Sequence, residues 1–198
     1  MNNTKKIIMV LDTETADLTG SIYDIGYTIT DKRGNIAATR NWLVEEIFTD
    51  AKKMMGAFYA GKIFSHYAPM LQRGDIELTS WSTIVETMRT DILEHGVNIL
   101  AAYNLPFDTR VMRNTHSALG YTDKILPHSL DQLCIWQFAC ETKLNTRLYK
   151  ELAQAQGWVS EAGNIRTGAE YAYRFCAGDW GFIEDHTALS DAIIETEI

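Results

Sequence analysis

Asp12 and Glu14 close the apolar run IIMVL, with one threonine between them. Residues two apart on a strand point to the same face, so this run would present both carboxylates together. Gathering acids at the end of a buried strand is costly unless a cation or hydrogen-bond donors compensate. Two further acids stand out by context. Asp108 lies in YNLPFD, after a β-rich run and in the first turn of a helical stretch. Asp191 lies in HTALSD, about one turn into the last helical stretch. Four carboxylates delivered from strand and helix ends could hold two hard divalent cations, Mg²⁺ or Mn²⁺.

The elements that must position these acids can be read from the pattern of apolar residues. KIIMVLD is a continuous apolar run too short for a typical helix and reads as a buried strand. SIYDIGYTIT and IAATRNWLV are β-rich and are joined by the turn DKRGN, so the first three strands predict an antiparallel meander. Residues 45–78 read as mainly helical, with a break near Pro69 and Gly74, and as a helical insertion. TSWSTIVETMRTDILEHG predicts a helix capped by Thr79 or Ser80 and stopped at Gly96. VNILAAYN is a fourth strand, and the next helix opens at Pro106 and closes at Gly120. HSLDQLCIWQFAC is a short fifth strand running into a helix, and two more helices follow. With no repeat or linker, the expectation is a single α/β domain over 1–198. Its five-stranded mixed sheet would be an antiparallel meander plus parallel strands, flanked by helices.

DTET, NLPFD and HTALSD resemble, in order and spacing, the signature segments of the DEDD superfamily of 3′–5′ exonucleases. The spacing from His186 to Asp191 is similar to the DEDDh branch, which includes proofreading subunits, RNase T and oligoribonuclease. The long 45–78 region is similar to that of exonucleases from phage genomes. The resemblance implies an RNase H-like fold and two-metal hydrolysis of phosphodiesters at the 3′ ends of single-stranded DNA or RNA, releasing nucleoside monophosphates. It implies that Asp12, Glu14, Asp108 and Asp191 hold the metals and that His186 is the general base, a task suited to its near-neutral titration. It also implies that Thr15 and Leu18 touch the terminal nucleotide. Asn104 would position the turn before Asp108 or the substrate backbone. Taken alone, each residue has a plainer reading: an Asx turn, a capping histidine, an exposed loop leucine.

Composition narrows the field. The 198 residues carry a net charge of −8, which argues against a long footprint on duplex nucleic acid and for a grip on a short strand end. No run is long enough for a membrane span, and no signal-peptide core follows MNNTKK, so the setting is expected to be the cytoplasm, bacterial or of a phage-infected host. Cys134, Cys140 and Cys176 are too widely spaced for a disulfide frame or zinc site and are expected to be reduced, mostly buried thiols. Asp131 reads as a helix cap, and the aromatics of FYAGKIFSHY and WQFAC as core. Lys143, Arg147 and Lys150, at helical spacing, could track phosphates or face solvent. DNA against RNA and oligomeric state stay open, a homodimer being one reading. So do two other functions: a nucleic-acid-binding protein without turnover, and an RNase H-like endonuclease.

Overall fold

A computed structural model describes residues 5–17, 19–58 and 60–198. Six strands form one sheet in the order β4-β3-β2-β1-β5-β6. β1 (Ile7–Thr15), β2 (Ile22–Asp31) and β3 (Ile36–Val44) are the antiparallel meander. β5 (Ile99–Ala102) adds parallel to β1, and β6 (Asp131–Cys134) parallel to β5. The architecture is the expected α/β arrangement, an antiparallel meander plus parallel strands flanked by helices, with one more strand. β4 (Glu77–Thr79) lies parallel to β3 at the far edge. Three residues are too few to show an alternation, so this strand could not be read from the apolar pattern.

Alternation decides which side of the sheet each residue serves. On β2, Tyr23, Ile25, Tyr27 and Ile29 enter the main core with Met9 and Leu11 of β1. That core also holds Trp81, Ile84, Val85 and Met88 of α4 (Trp81–His95) and Val111 and Met112 of α5 (Leu105–Ala118). Each such fully buried side chain contributes about 1.5–3 kcal/mol by leaving water. The other side of β2 is small and polar. There Asp24, Gly26 and Thr28 meet α9 (Ala188–Glu197): Thr28 shares a 2.7 Å hydroxyl contact with Thr196, and Asp24 accepts the Ala188 N–H at 3.0 Å. Asp12 pairs with Gly26 and Glu14 with Asp24 in the β1–β2 register, so both acids face the α9 side.

Gly26 makes this packing possible. A Cβ at that position would lie 2.6 Å from the Leu189 Cα and 2.8 Å from the Ala188 carbonyl carbon. Only a hydrogen in that place lets the start of α9 rest directly on the strand beside Asp12.

Between β3 and β4 the chain forms α1 (Glu45–Phe48), α2 (Ala51–Met55), a π turn (Ile63–Tyr67) and α3 (Ala68–Arg73). Pro69 does not break this segment. It sits in the first turn of α3, where its missing N–H is harmless, and Gly74 ends the helix in the left-handed conformation. α6 (Ile135–Ala139) continues into a second π turn (Cys140–Leu144), then α7 (Arg147–Ala155) and α8 (Ala169–Ala177) follow. Ser80 caps α4 by accepting the Thr83 N–H, and Gly96 stops it.

Three other expectations are corrected. Asp131 begins β6 and pairs with Lys6 at 3.2 Å on the surface, so it caps no helix. Phe58, Phe64, Trp136 and Phe138 are exposed, whereas Tyr67 is fully buried. Lys143 is turned inward to the Ile198 carbonyl at 3.0 Å and the Cys176 sulfur at 3.3 Å. The three cysteines are free and half-buried. Among the described residues, no helix is long and apolar enough to cross a membrane.

Candidate functional site

One cavity of about 240 Å³ opens at the carboxyl end of β1 and is lined by Asp12, Glu14, Asn104, Asp108, His186 and Asp191, together with Thr13, Tyr103, Phe107, Glu184 and Glu195. Three stretches of chain, far apart in sequence, converge there. β1 supplies Asp12 and Glu14. The β5–α5 junction supplies Asn104 and, in the first turns of α5, Asp108. α9 supplies Asp191, and the loop before it supplies His186. One carboxylate oxygen of Glu14, one of Asp191 and one ring nitrogen of His186 lie within 4.8 Å of one another.

Burial and mutual repulsion hold these acids toward the protonated form. Asp12 is raised well above the ordinary carboxylate range by burial and then by Glu195, Asp108 and Asp191. Burial, followed by neighbouring acids, takes Glu14 up to about 8 and Asp191 to about 9. Burial lifts Asp108 to about 7 against a 2.8 Å hydrogen bond from the Thr13 hydroxyl. One oxygen of Asp191 is buried with no hydrogen-bond partner among the described residues. Buried polar oxygens are nearly always partnered, so this one points to a missing positive or donor group. Carboxylate oxygens are the donors that suit a hard divalent cation, and the imidazole beside them suits a proton acceptor better than a ligand of such an ion.

His186 has a φ of 56°, in the left-handed region. Its Nδ1 lies 3.5 Å from a Glu184 oxygen. Burial, and then the Lys62 ammonium, lower its pKa, so the ring is neutral near pH 7 and able to accept a proton.

The remaining candidates divide. Asn104 is exposed, lines the cavity and sits at the N-cap position of α5, where its carbonyl, not its side chain, accepts the Phe107 N–H at 2.7 Å. Thr15 is half-buried at a register shift between Glu14 and Thr15 and does not line the cavity. Leu18 lies outside the described residues.

Three residues that the sequence did not single out belong to this neighbourhood. Glu195 lies one helical turn beyond Asp191 on the same face of α9, is buried, and accepts the Tyr103 N–H at 3.0 Å. The i, i+4 spacing from Asp191 was the available signal. Asp24 is fully buried beside Glu14, and burial raises it to about 6. Lys62 comes from the segment between β3 and β4, and its ammonium donates to the His186 carbonyl at 2.7 Å. Neither Asp24 nor Lys62 has a local signal, because both arrive through tertiary packing.

No known protein family matches the sequence. No curated protein matches it either. Among solved structures, the fold is similar to that of exonuclease X in complex with 5′ overhanging duplex DNA. The sequences are 18% identical, 96% of this chain and 87% of that chain are covered, and the TM-score is 0.42.

Proposed function

We propose that this chain is a divalent-metal-dependent 3′–5′ exonuclease of the DEDDh type, working as one domain over residues 1–198. Its substrate would be the 3′ end of single-stranded DNA or RNA, and its products nucleoside monophosphates. The observation that supports this most is the convergence of Asp12, Glu14, Asp108, Asp191 and His186 on one cavity, with an Asp191 oxygen buried and unpartnered. The order of the three motifs supports the same reading.

The four acids would hold two cations, Mg²⁺ or Mn²⁺, which when bound supply charge at the phosphate and make water easier to deprotonate. The neutral His186 takes the proton from the attacking water. Glu184, beside its Nδ1, then faces the resulting imidazolium and stabilises it. Thr13 fixes the rotamer of Asp108 by its hydrogen bond. The exposed Asn104 amide is available to the backbone of a bound strand, and the motif resemblance alone would put Thr15 and Leu18 at the terminal nucleotide.

The test is release of mononucleotides from a 3′-labelled oligonucleotide, with Mg²⁺, Mn²⁺ or excess chelator. A 5′-labelled ladder separates stepwise trimming from internal cuts, and matched DNA and RNA oligomers settle the sugar. His186→Asn should lower turnover by about 10²–10⁴-fold, the usual worth of general acid–base catalysis, while metal binding measured by calorimetry persists. Full activity in chelator would remove the metals from the mechanism. Internal cuts would make the chain an endonuclease, and no cleavage alongside tight binding would make it a binding protein.

A further inference from the structure

The loop that carries His186 is tied down from two sides. From α8, Arg174 donates to the Phe182 carbonyl at 2.7 Å and Glu170 accepts the Glu184 N–H at 3.1 Å. Those ties hold the first part of the loop, and α8 is its neighbour in sequence. The tie at His186 itself comes from much farther along the chain: the Lys62 ammonium, 124 residues away, donates to the His186 carbonyl at 2.7 Å. His186 is also the one described non-glycine residue with positive φ. A non-glycine residue in that conformation is strained and persists when its surroundings over-determine it. A charged donor on the carbonyl is such a constraint, because it fixes the plane of the peptide that follows.

The same ammonium lies close enough to Glu14, Asp191 and Asp185 to be drawn toward their charge. Lys62 therefore stands near the acids and holds the main chain of His186. Its own backbone lies just before the π turn Ile63–Tyr67, whose Tyr67 donates to Asp24 at 2.9 Å. Asp24 in turn holds the start of α9 through Ala188. The position of the clamp is thus referenced to the element that carries Asp191.

We propose that Lys62 is a positioning residue that locks the His186 main chain so that the imidazole stands over the Glu14–Asp191 pair. This rests on the reading of His186 as the base. Lys62 is half-exposed, so its replacement leaves the core intact.

The experiment compares wild type, Lys62→Met and Lys62→Arg in two independent measurements. The first is amide hydrogen exchange over residues 182–188 in Mg²⁺. Lys62→Met should exchange faster there and nowhere in β1 or β5, and Lys62→Arg should remain close to wild type. The second is single-turnover cleavage of a 3′-labelled oligonucleotide. Lys62→Met should lose about 10–100-fold in rate at saturating substrate, as expected for a small misplacement of a catalytic group, with KM little changed. Lys62→Arg should recover most of that rate. A purely electrostatic role predicts the reverse pattern: tighter Mg²⁺ binding by Lys62→Met, because a like charge is gone, with loop exchange unaltered. Unaltered exchange overturns the proposal even if the wild type is an active exonuclease. Faster exchange confined to the loop in Lys62→Met, with a wild type that cleaves no oligonucleotide, would uphold the clamp and overturn the exonuclease reading instead.

Discussion

Asp24 bonds both to the first amide of α9 and to Tyr67: its Oδ2 accepts the Ala188 N–H at 3.0 Å and the Tyr67 hydroxyl at 2.9 Å. A strand residue, not the preceding Thr187, therefore satisfies the start of the helix that carries Asp191. Asp24→Ala should cost about 1–3 kcal/mol, because two buried donors lose their acceptor. Asp24→Asn keeps an acceptor oxygen and should lose distinctly less. Urea unfolding of both variants checks this, and equal losses would show that charge and not hydrogen bonding matters.

The raised acids set a pH dependence. Glu14, Asp108 and Asp191 titrate at about 8, 7 and 9 in the folded protein, each above its ordinary value. A carboxyl whose folded pKa is raised contributes stability that is complete below the unfolded value of about 4 and is lost as pH rises through the folded value. In chelator, melting temperature should therefore fall between pH 5 and pH 9. Mg²⁺ should raise it most at the alkaline end, by binding the ionised folded form. A chelated protein whose melting temperature climbs over that range would contradict the burial of these acids.

The same repulsion makes Asp12→Asn and Asp108→Asn separable from unfolding. Each should abolish Mg²⁺-dependent cleavage yet raise the melting temperature of the chelated protein, since one of several crowded charges is gone. Paired nuclease assays and thermal melts in chelator would show it.

Glu195→Gln isolates the acid that lies one turn beyond Asp191. The amide retains an acceptor for the Tyr103 N–H, so the fold should stand. Loss of the charge should weaken Mg²⁺ binding by about 10–100-fold, the usual penalty for altering a group that supports metal ligands. Isothermal calorimetry gives the constant directly, and unchanged affinity would confine Glu195 to holding Tyr103.

Gly26→Ala should destabilise by about 1–3 kcal/mol or more, the cost of overpacking, because the methyl group meets backbone that cannot swing aside. Mg²⁺ affinity should fall with it as α9 and Asp191 are pushed from Asp12. Denaturant unfolding and calorimetry on one preparation would reveal whether the two losses travel together.

What could be read from the sequence was local. The apolar run ending at Asp12, the Ser80 cap with its Gly96 stop, and the placement of Asp108 and Asp191 about a turn into their helices all follow from neighbours within a few residues. The residues that went unread are those whose meaning depends on a distant partner. Asp24 sits in SIYDIGYTIT as an unremarked polar residue on a strand, and only the arrival of α9 gives it a task. Lys62 sits among aromatics that looked like core but are exposed at Phe58 and Phe64. β4 and the two π turns are too short or too irregular to leave a periodic trace.

The bond between Asp24 and Ala188 spans 164 residues of chain, and Tyr103 and Glu195 are 92 apart. Contacts of such separation are made late, after local elements have formed, because the long loops between them must first be closed. On a ribosome, β1 to β6 can emerge and begin to pair while α9 is still unmade. Asp12, Glu14 and Asp108 would then be in place without Asp191, Glu195 or His186. The acid cluster is thus completed only when residues 186–195 pack onto a sheet whose strands all precede them in the chain.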